Sequence, residues 1–483
     1  MSTRAPASSS APAPAAEVPE HAATWTIVLL CTAAFMTMLD LFIVNVALGS
    51  IGETYSGSSL AGLSWILNAY TVVYAACLIP AGSLADRYGR KQGFLVGLGL
   101  FTIASVGCAA APTLEFLIAF RVAQAVGAAV LTPASLGLIL SVLPEARRAG
   151  GVKIWATSSS FAGAAGPVIG GLLAQSSWRW AFLLNLPIGL VAFVMAARLL
   201  PKSPPAARTR IPDPVGALAI AAAVGALSLG LVKAEDRGWL APGTLLAAVI
   251  TVLAVLVLLH RMRTHPEPVM PPRLFRVPSF TIANVATLLF TGAFSAVFLG
   301  VSLWLETAAG YDPLQAGLAL LPGPLAVPLF AALTQRWARD VPARFVIAVG
   351  LAVFAAGSLL LAVQGATHYA TDVLPGWIVI GVGIGIAMPT LLGTATADLA
   401  PAQAATGSAI VNTARQTGYA LGVAGLVAIL GTRTTADVHT AGARDTFENG
   451  WLFVTALVLL SAAIALLIRP RPTPRTPATS NNE

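Results

Sequence analysis

Charged residues are scarce in this sequence of 483 residues, of which only 10% are Asp, Glu, Lys or Arg. A water-soluble domain carries about a quarter charged residues, whereas this chain is 57% hydrophobic with a mean hydropathy of +0.80. The apolar residues form long uncharged stretches, each near the ~20 residues that one helical membrane crossing requires. The composition excludes a soluble enzyme, a nucleic-acid module and a secreted disulfide-linked domain. It predicts an all-α polytopic membrane protein.

Cysteine and histidine are also rare. The three cysteines, Cys31, Cys77 and Cys108, each lie in an apolar stretch, and their odd number indicates no disulfide framework. The five histidines lie in tails, loops or span ends without a metal-ligand pair. The sequence contains neither a P-loop nor a catalytic-triad pattern. We therefore expect no metal, no cofactor and no enzymatic activity.

Fourteen apolar stretches are long enough to be membrane spans. If both termini are cytoplasmic, 21 Lys and Arg residues lie in inner loops and tails, and five lie in outer loops. Basic residues collect in cytoplasmic loops, so this split predicts a multi-pass protein of the inner (cytoplasmic) membrane with both termini inside. The net charge of +8 then reflects topology and not binding to nucleic acid.

The spans are arranged as six, two and six. The short polar turn after span 7 and the basic segments that flank spans 7 and 8 are typical of a hairpin inserted between two halves. The predicted division is a disordered cytoplasmic tail (1–24), an N-terminal six-helix bundle (25–200), basic linkers with transmembrane helices 7 and 8 (201–276), a C-terminal six-helix bundle (277–468) and a cytoplasmic tail (469–483). Two equivalent halves favour a transporter with a central site and alternating access.

The loop between spans 2 and 3 reads GSLADRYGRK and begins at Gly82. It resembles the signature loop of the major facilitator superfamily. The resemblance implies the major facilitator fold of two six-helix bundles, here with an inserted two-helix hairpin. It also implies that Gly82, Asp86, Gly89 and Arg90 form a conformational latch, which joins the halves on the inner side in the outward-open state and has its partner near the start of span 13. A basic loop that only sets topology is the alternative.

Span 1 contains Asp40 inside an otherwise apolar helix. An acid at membrane depth is costly and therefore indicates function, so Asp40 is the candidate proton carrier. Its surroundings resemble span 1 of the fourteen-span drug:proton antiporters, although Phe42 and Gly49 replace the usual Thr and Pro. Span 4 resembles the motif in which an arginine, here Arg121, is linked to proton transfer. The alternatives are a structural Asp40–Arg121 pair and an Arg121 side chain that reaches the interface.

Span 5 contains a proline among glycines, which permits bending and close helix contact. Gly166, Pro167, Gly170 and Gly171 resemble the antiporter motif of exporters, although Ala162 replaces its first glycine. The resemblance favours export over import. A general proline kink is the alternative.

Several polar or aromatic side chains in the spans are candidates for a substrate cavity. Gln124 shares a helix face with Arg121 because the two are three residues apart. Arg415 in span 13 must face a cavity or a partner and not lipid, and substrate contact and inter-helix bonding both remain open. The full set of candidates is Asn45, Trp65, Asn68, Tyr70, Gln124, Asn185 and Arg415.

These motifs together predict proton-coupled efflux of an amphipathic antibiotic, drug or secondary metabolite by alternating access. The proton gradient supplies the energy. The expected partners are a small-molecule substrate, protons and the lipid bilayer, and the resemblance implies a monomer. One alternative is a proton-coupled symporter that imports a small nutrient on the same fold. A non-transporting membrane sensor or assembly factor is another, but it has no need of Asp40 and Arg121 within the spans.

Overall fold

The computed structural model describes residues 20–201, 213–363, 368–400, 403–431 and 442–469. Most of the two predicted tails and the first basic linker, 202–210, lie outside these residues. The described residues form helices and contain no β-strand. In chain order the helices are α1 (Glu20–Val46), α2 (Leu48–Thr54), α3 (Leu60–Tyr88), α4 (Arg90–Ala109), α5 (Leu114–Val142), α6 (Glu145–Ala174), α7 (Arg179–Leu183), α8 (Asn185–Leu199), α9 (Pro214–Arg237), α10 (Pro242–Thr264), α11 (Pro278–Thr307), α12 (Pro313–Leu320), α13 (Pro322–Trp337), α14 (Ala343–Val363), α15 (Leu374–Ala397), α16 (Ala404–Leu430) and α17 (Gly442–Leu466).

Twelve helical segments in this described part of the chain are long and apolar enough to cross a membrane. The all-α multi-pass fold is therefore confirmed, but the predicted count of fourteen spans is not. Predicted spans 5 and 13 correspond to α6 and α16, which have 30 and 27 residues. Neither is among the twelve, because polar residues dilute their apolar sequences; α16, for example, contains Asn412, Arg415 and Gln416.

Helix ends follow signals in the sequence. Ser59 caps α3 by accepting a hydrogen bond from the Gly62 backbone at 3.1 Å, and Asp312 forms a capping box with Gln315 at the start of α12. A single residue, Gly89, separates α3 from α4 and has a φ of +105°. Glycine adopts this backbone conformation at little cost, so the signature loop reverses the chain within one residue.

Equivalent helix pairs of the two halves pack in the same way. In the N-terminal half (α1–α8), a Cβ added to Gly97 of α4 would lie 2.9 Å from the carbonyl oxygen of Gly127 on α5. In the C-terminal half (α11–α17), a Cβ added to Gly350 of α14 would lie 2.9 Å from the carbonyl oxygen of Gly383 on α15. Small residues permit such backbone-to-backbone contact between membrane helices. The recurrence of this contact supports an internal repeat.

The hairpin α9–α10 lies on the outside of the two halves. Helix α9 packs against α3 of the N-terminal half and α16 of the C-terminal half, and α10 packs on α9. Arg261 of α10 binds the buried carboxylate of Asp213, which caps α9, with Nη2 at 2.7 Å from Oδ1. The far face of α10 exposes apolar side chains, which suits contact with lipid, including Leu246, Val249, Leu253 and Leu256.

The two halves meet where α6 ends and α12 begins, on the side that the distribution of basic residues predicts to be outer. Helix α6 packs closely on α12 and much less on α13. A Cβ added to Gly171 would overlap the Pro313 carbonyl oxygen, and one added to Gly317 would overlap that of Pro167. These four residues form what we call the outer seal. Gly171 and Gly317 cannot be replaced by a larger residue without displacement, because the backbone of the opposite helix lies directly against each of them.

We predict that Gly317→Val separates α6 from α12, because a backbone carbonyl cannot rotate out of the way of the new side chain. The reporter is an Asn45→Cys substitution on the wall of the central cavity, introduced after the three native cysteines are replaced by alanine. Impermeant maleimide added outside intact cells should label this cysteine several-fold faster in the Gly317→Val variant.

The matched control is Gly393→Val, because no neighbouring atom lies within 4 Å of a Cβ added at Gly393. Equal labelling of the two variants, at equal amounts of protein in the membrane, would contradict the proposed role of the seal.

Candidate functional site

Asp40 lies in the interior of the N-terminal half and is only 1% exposed. Its carboxylate forms an ion pair with Nη1 of Arg121 on α5. It also accepts hydrogen bonds from Gln124 Nε2 at 2.8 Å and from Asn185 Nδ2 at 3.2 Å. Helices α1, α5 and α8 thus bring an acid, a cation and two amides into one buried group.

Ser105 of α4 completes this group. Its Oγ accepts hydrogen bonds from Gln124 Nε2 at 2.8 Å and from Asn185 Nδ2 at 3.3 Å. Gln124 Oε1 accepts from Arg121 Nη1 at 2.7 Å. A buried polar network is stable when its members satisfy one another. We call Asp40, Ser105, Arg121, Gln124 and Asn185 the Asp40 cluster.

Arg121 connects the Asp40 cluster to α3. Its Nε donates to the carbonyl oxygen of Ile66 at 3.0 Å, and its guanidinium carbon lies 4.2 Å from the centre of the Tyr70 ring, a cation–π distance. Helix α3 also packs against α16, where Thr413 Oγ1 donates to the Ala75 carbonyl oxygen at 3.2 Å. A movement of Arg121 would therefore act on a helix that contacts the other half.

A small cavity of about 30 Å³ lies between the halves. Helices α1 and α3 form one side, and α11 and α16 form the other. Its wall is mainly apolar with a few polar groups. The lining residues are Leu41, Phe42, Asn45, Leu67, Thr71, Phe294, Ser295, Phe298, Tyr419 and Val423.

Two of the predicted cavity residues lie at this cavity. Asn45 is on the wall and donates a hydrogen bond from Nδ2 to the Leu41 carbonyl oxygen at 2.9 Å. Arg415 lies beside the wall, with Nη2 at 3.4 Å from the hydroxyl oxygen of the lining residue Tyr419. The structure therefore brings a polar α1 side chain and an α16 cation to the same interface.

The other predicted cavity residues lie elsewhere. Gln124 and Asn185 belong to the Asp40 cluster, and Tyr70 packs on Arg121. Asn68 is completely buried, and neither polar atom of its amide has a hydrogen-bond partner among the described residues. Trp65 is half-buried and lies off the cavity wall. Hydropathy identified their depth in the membrane but not the helix face that carries them.

The predicted latch residues are engaged within the N-terminal half. Arg90 Nε lies 2.6 Å from Asp86 Oδ1, and Arg90 Nη1 donates to the Gly137 carbonyl oxygen at 2.7 Å. Gly82 faces Pro133, and Gly89 forms the turn. The contact with the start of span 13 was expected for the outward-open state and stays a prediction, while the described residues bring α6 and α12 together on the predicted outer side.

The glycine motif of α6 makes two different contacts. A Cβ added to Gly166 would lie 2.5 Å from Phe42 Cβ, and one added to Gly170 would lie 3.1 Å from Ile43 Cα. These glycines place α6 directly on α1, next to Asp40. Pro167 and Gly171 contact α12 in the outer seal. The motif therefore joins the helix of the buried acid to the contact that closes the outer side.

Glu306, at the end of α11, is not among the predicted site residues. The structure buries its Oε1 without a hydrogen-bond partner among the described residues. Its carboxyl group faces Gly49, where an added Cβ would lie 3.1 Å from Cδ, and the charge of Glu53 acts on it. Glu306 thus lies between the halves on the predicted outer side. The sequence shows only that Glu306 lies at the end of a span. Its position between the halves depends on packing across the interface, which the sequence does not reveal.

No group of three His, Cys, Asp or Glu side chains in the described ranges could hold a metal ion. Cys31 and Cys108 are free and buried, and Cys77 is free and half-buried. The Sγ of Cys108 lies 3.9 Å from Gln124 Oε1, at the edge of the Asp40 cluster. These thiols pack within the helices.

Comparison with known proteins identifies relatives over most of the chain. The sequence profile described as Major Facilitator Superfamily matches residues 30–423. The cephamycin export protein CmcT of Amycolatopsis lactamdurans is 33% identical, over 93% of this chain and 94% of its own length. The methylenomycin A resistance protein of Streptomyces coelicolor is 35% identical, over 94% of each chain. The crystal structure of a bacterial homologue of the human lysosomal transporter Spinster, inward-facing and unoccupied, superposes with a TM-score of 0.67 at 16% identity, covering 94% of this chain and all of that one.

We predict that Arg121→Gln lowers the free energy of unfolding by about 3–5 kcal/mol, because it leaves the Asp40 carboxylate buried without its cation. The double variant Asp40→Asn/Arg121→Gln should be more stable than Arg121→Gln alone, since it buries no charge. Thermal unfolding of the purified proteins in detergent measures both effects. Strictly additive destabilisation by the two substitutions would contradict the pairing.

Proposed function

Because the chain belongs to the major facilitator superfamily, we propose that it is a proton-coupled exporter of amphipathic small molecules. It works as a single chain in the cytoplasmic membrane, with both termini inside. It exchanges the substrate for protons by alternating access, and the proton gradient supplies the energy. The observation that carries the proposal is the buried Asp40–Arg121 pair, one helical turn from a cavity between the halves.

Proton coupling is supported by the position of Asp40. A proton on this carboxylate would cancel the charge that holds Arg121 Nη1. Arg121 would then keep its hydrogen bond to the Ile66 carbonyl oxygen and its contact with the Tyr70 ring on α3. Because α3 packs against α16, protonation would change forces at the interface between the halves. Proton binding and a change in helix packing are linked in this way.

The outer seal supports a conformational state in which the protein binds substrate from the cytoplasmic side. Asp40 lies on α1, and α1 packs through Phe42 and Ile43 on the glycines of α6. The same α6 closes the outer side against α12. A rearrangement at α1 therefore reaches the outer seal through one helix. With the predicted orientation, the cavity of this state receives substrate from the cytoplasm and must open outward to release it.

The character of the cavity supports an amphipathic substrate. Phe42 and Phe298 approach edge-on at 5.2 Å between ring centres, and Phe294 lies 5.9 Å from Phe298. Asn45 and Thr71 add polar groups. The names of the two relatives, an export protein and a resistance protein, favour export over the import of a nutrient by a symporter.

We predict that Asp40→Asn abolishes proton-driven efflux while the protein still reaches the membrane, since asparagine keeps the shape but cannot carry the proton. Efflux of an amphipathic dye from energised cells measures the loss. The control is Glu115→Gln, which removes an exposed acid at the start of α5 and should leave efflux unchanged. Unaltered efflux in Asp40→Asn would refute Asp40 as the essential carrier.

A further inference from the structure

Arg415 of α16 lies at the interface between the halves with its guanidinium only partly satisfied. Nη1 lies 3.2 Å from Asn412 Oδ1, and Nη2 lies 3.4 Å from the Tyr419 hydroxyl oxygen. Nε is buried and has no hydrogen-bond partner among the described residues. Both Nη contacts are longer than charge-assisted hydrogen bonds of about 2.7–2.9 Å. The guanidinium therefore retains hydrogen-bonding capacity that the described residues do not use.

Arg415 also has no carboxylate partner in the part of the chain that the structure describes. Elsewhere in the described residues Arg121 pairs with Asp40, Arg90 with Asp86 and Arg261 with Asp213. Arg415 contacts an amide and a hydroxyl but no carboxylate. None of the residues that line the neighbouring cavity is acidic. Among the described residues, no carboxylate compensates the positive charge of Arg415.

A guanidinium at membrane depth is stable only beside water, a carbonyl dipole or an anion. Its planar fork of donors matches the two oxygens of a carboxylate better than any neutral group. From Arg415 the wall continues through Tyr419 to Phe294, at 6.2 Å between ring centres, and on to Phe298 and Phe42. A cation stands at one end of this wall and aromatic rings at the other.

We propose that the interface around this cavity, when the halves separate and widen it, takes an amphipathic substrate with a carboxylate, which pairs with Arg415 while its apolar part packs on Phe42, Phe294 and Phe298. The inference rests on the proposed export function and narrows its substrate class. Asp40 contributes no counter-charge, because it is buried within the N-terminal half on Arg121. The anion thus binds on α16 and the proton on α1, so the two ligands occupy different sites.

The test compares 1-pyrenebutyrate with 1-pyrenebutyramide, which differ only in the carboxylate. Isothermal titration with the purified full-length protein, in nonionic detergent without anionic lipid, measures both affinities. The wild type should bind the acid at least about tenfold more tightly than the amide. Arg415→Gln should remove that difference without changing the affinity for the amide, and Arg415→Lys should restore part of it. The control Arg339→Gln removes an exposed arginine and should change neither affinity.

Three outcomes in detergent alone would overturn the inference. They are equal wild-type affinities for the two probes, an Arg415→Gln protein that still prefers the acid, and equal loss of affinity for both probes in Arg415→Gln, which marks a structural role. Loss of the acid's advantage on adding phosphatidylglycerol would assign the site to a lipid headgroup and also overturn it. Proton-driven efflux from vesicles is measured separately with a neutral amphiphile. If the wild type shows no such efflux, the export proposal is refuted, whereas the binding result for Arg415 remains valid.

Discussion

A carboxylate and a guanidinium, buried together within one helix bundle, constrain how the helices of the N-terminal half pack. Neither Asp40 nor Arg121 reaches water in this state, because both are almost completely buried. Each charge is stabilised by the other and by amides from α5 and α8. Replacing either partner leaves a costly isolated charge. The pair therefore fixes how α1, α5 and α8 pack, and a proton that arrives there must alter that packing.

The contacts around the Asp40–Arg121 pair explain how a change in the protonation of Asp40 could alter the contacts between the two halves. Asp40 is on α1, which packs on the glycines of α6, and Arg121 contacts α3. Helices α6 and α3 are the ones that pack closely on α12 and α16 of the C-terminal half. The charge pair is thus one helix away from each of the two main contacts between the halves. Glu306 places another carboxyl group, with Oε1 buried, at the predicted outer side of the same interface.

The sequence predicted the all-α membrane fold well, because hydropathy and basic loops report directly on depth in a bilayer. The count of fourteen spans is not confirmed, because polar residues make α6 and α16 less apolar than the twelve segments that could cross a membrane. Motifs located Asp40, Arg121 and the α6 glycines. They did not identify the aromatic wall of Phe294 and Phe298, nor the burial of Glu306, since both depend on which faces of distant helices meet.

The proposed coupling requires Asp40 to change its protonation when substrate binds. Difference infrared spectroscopy of the purified protein detects a buried protonated carboxyl directly by its carbonyl stretching band. The account predicts a band that changes when substrate is added to the wild type and is missing in Asp40→Asn. A spectrum without any carboxyl change, or one with the same change in Asp40→Asn, would contradict it.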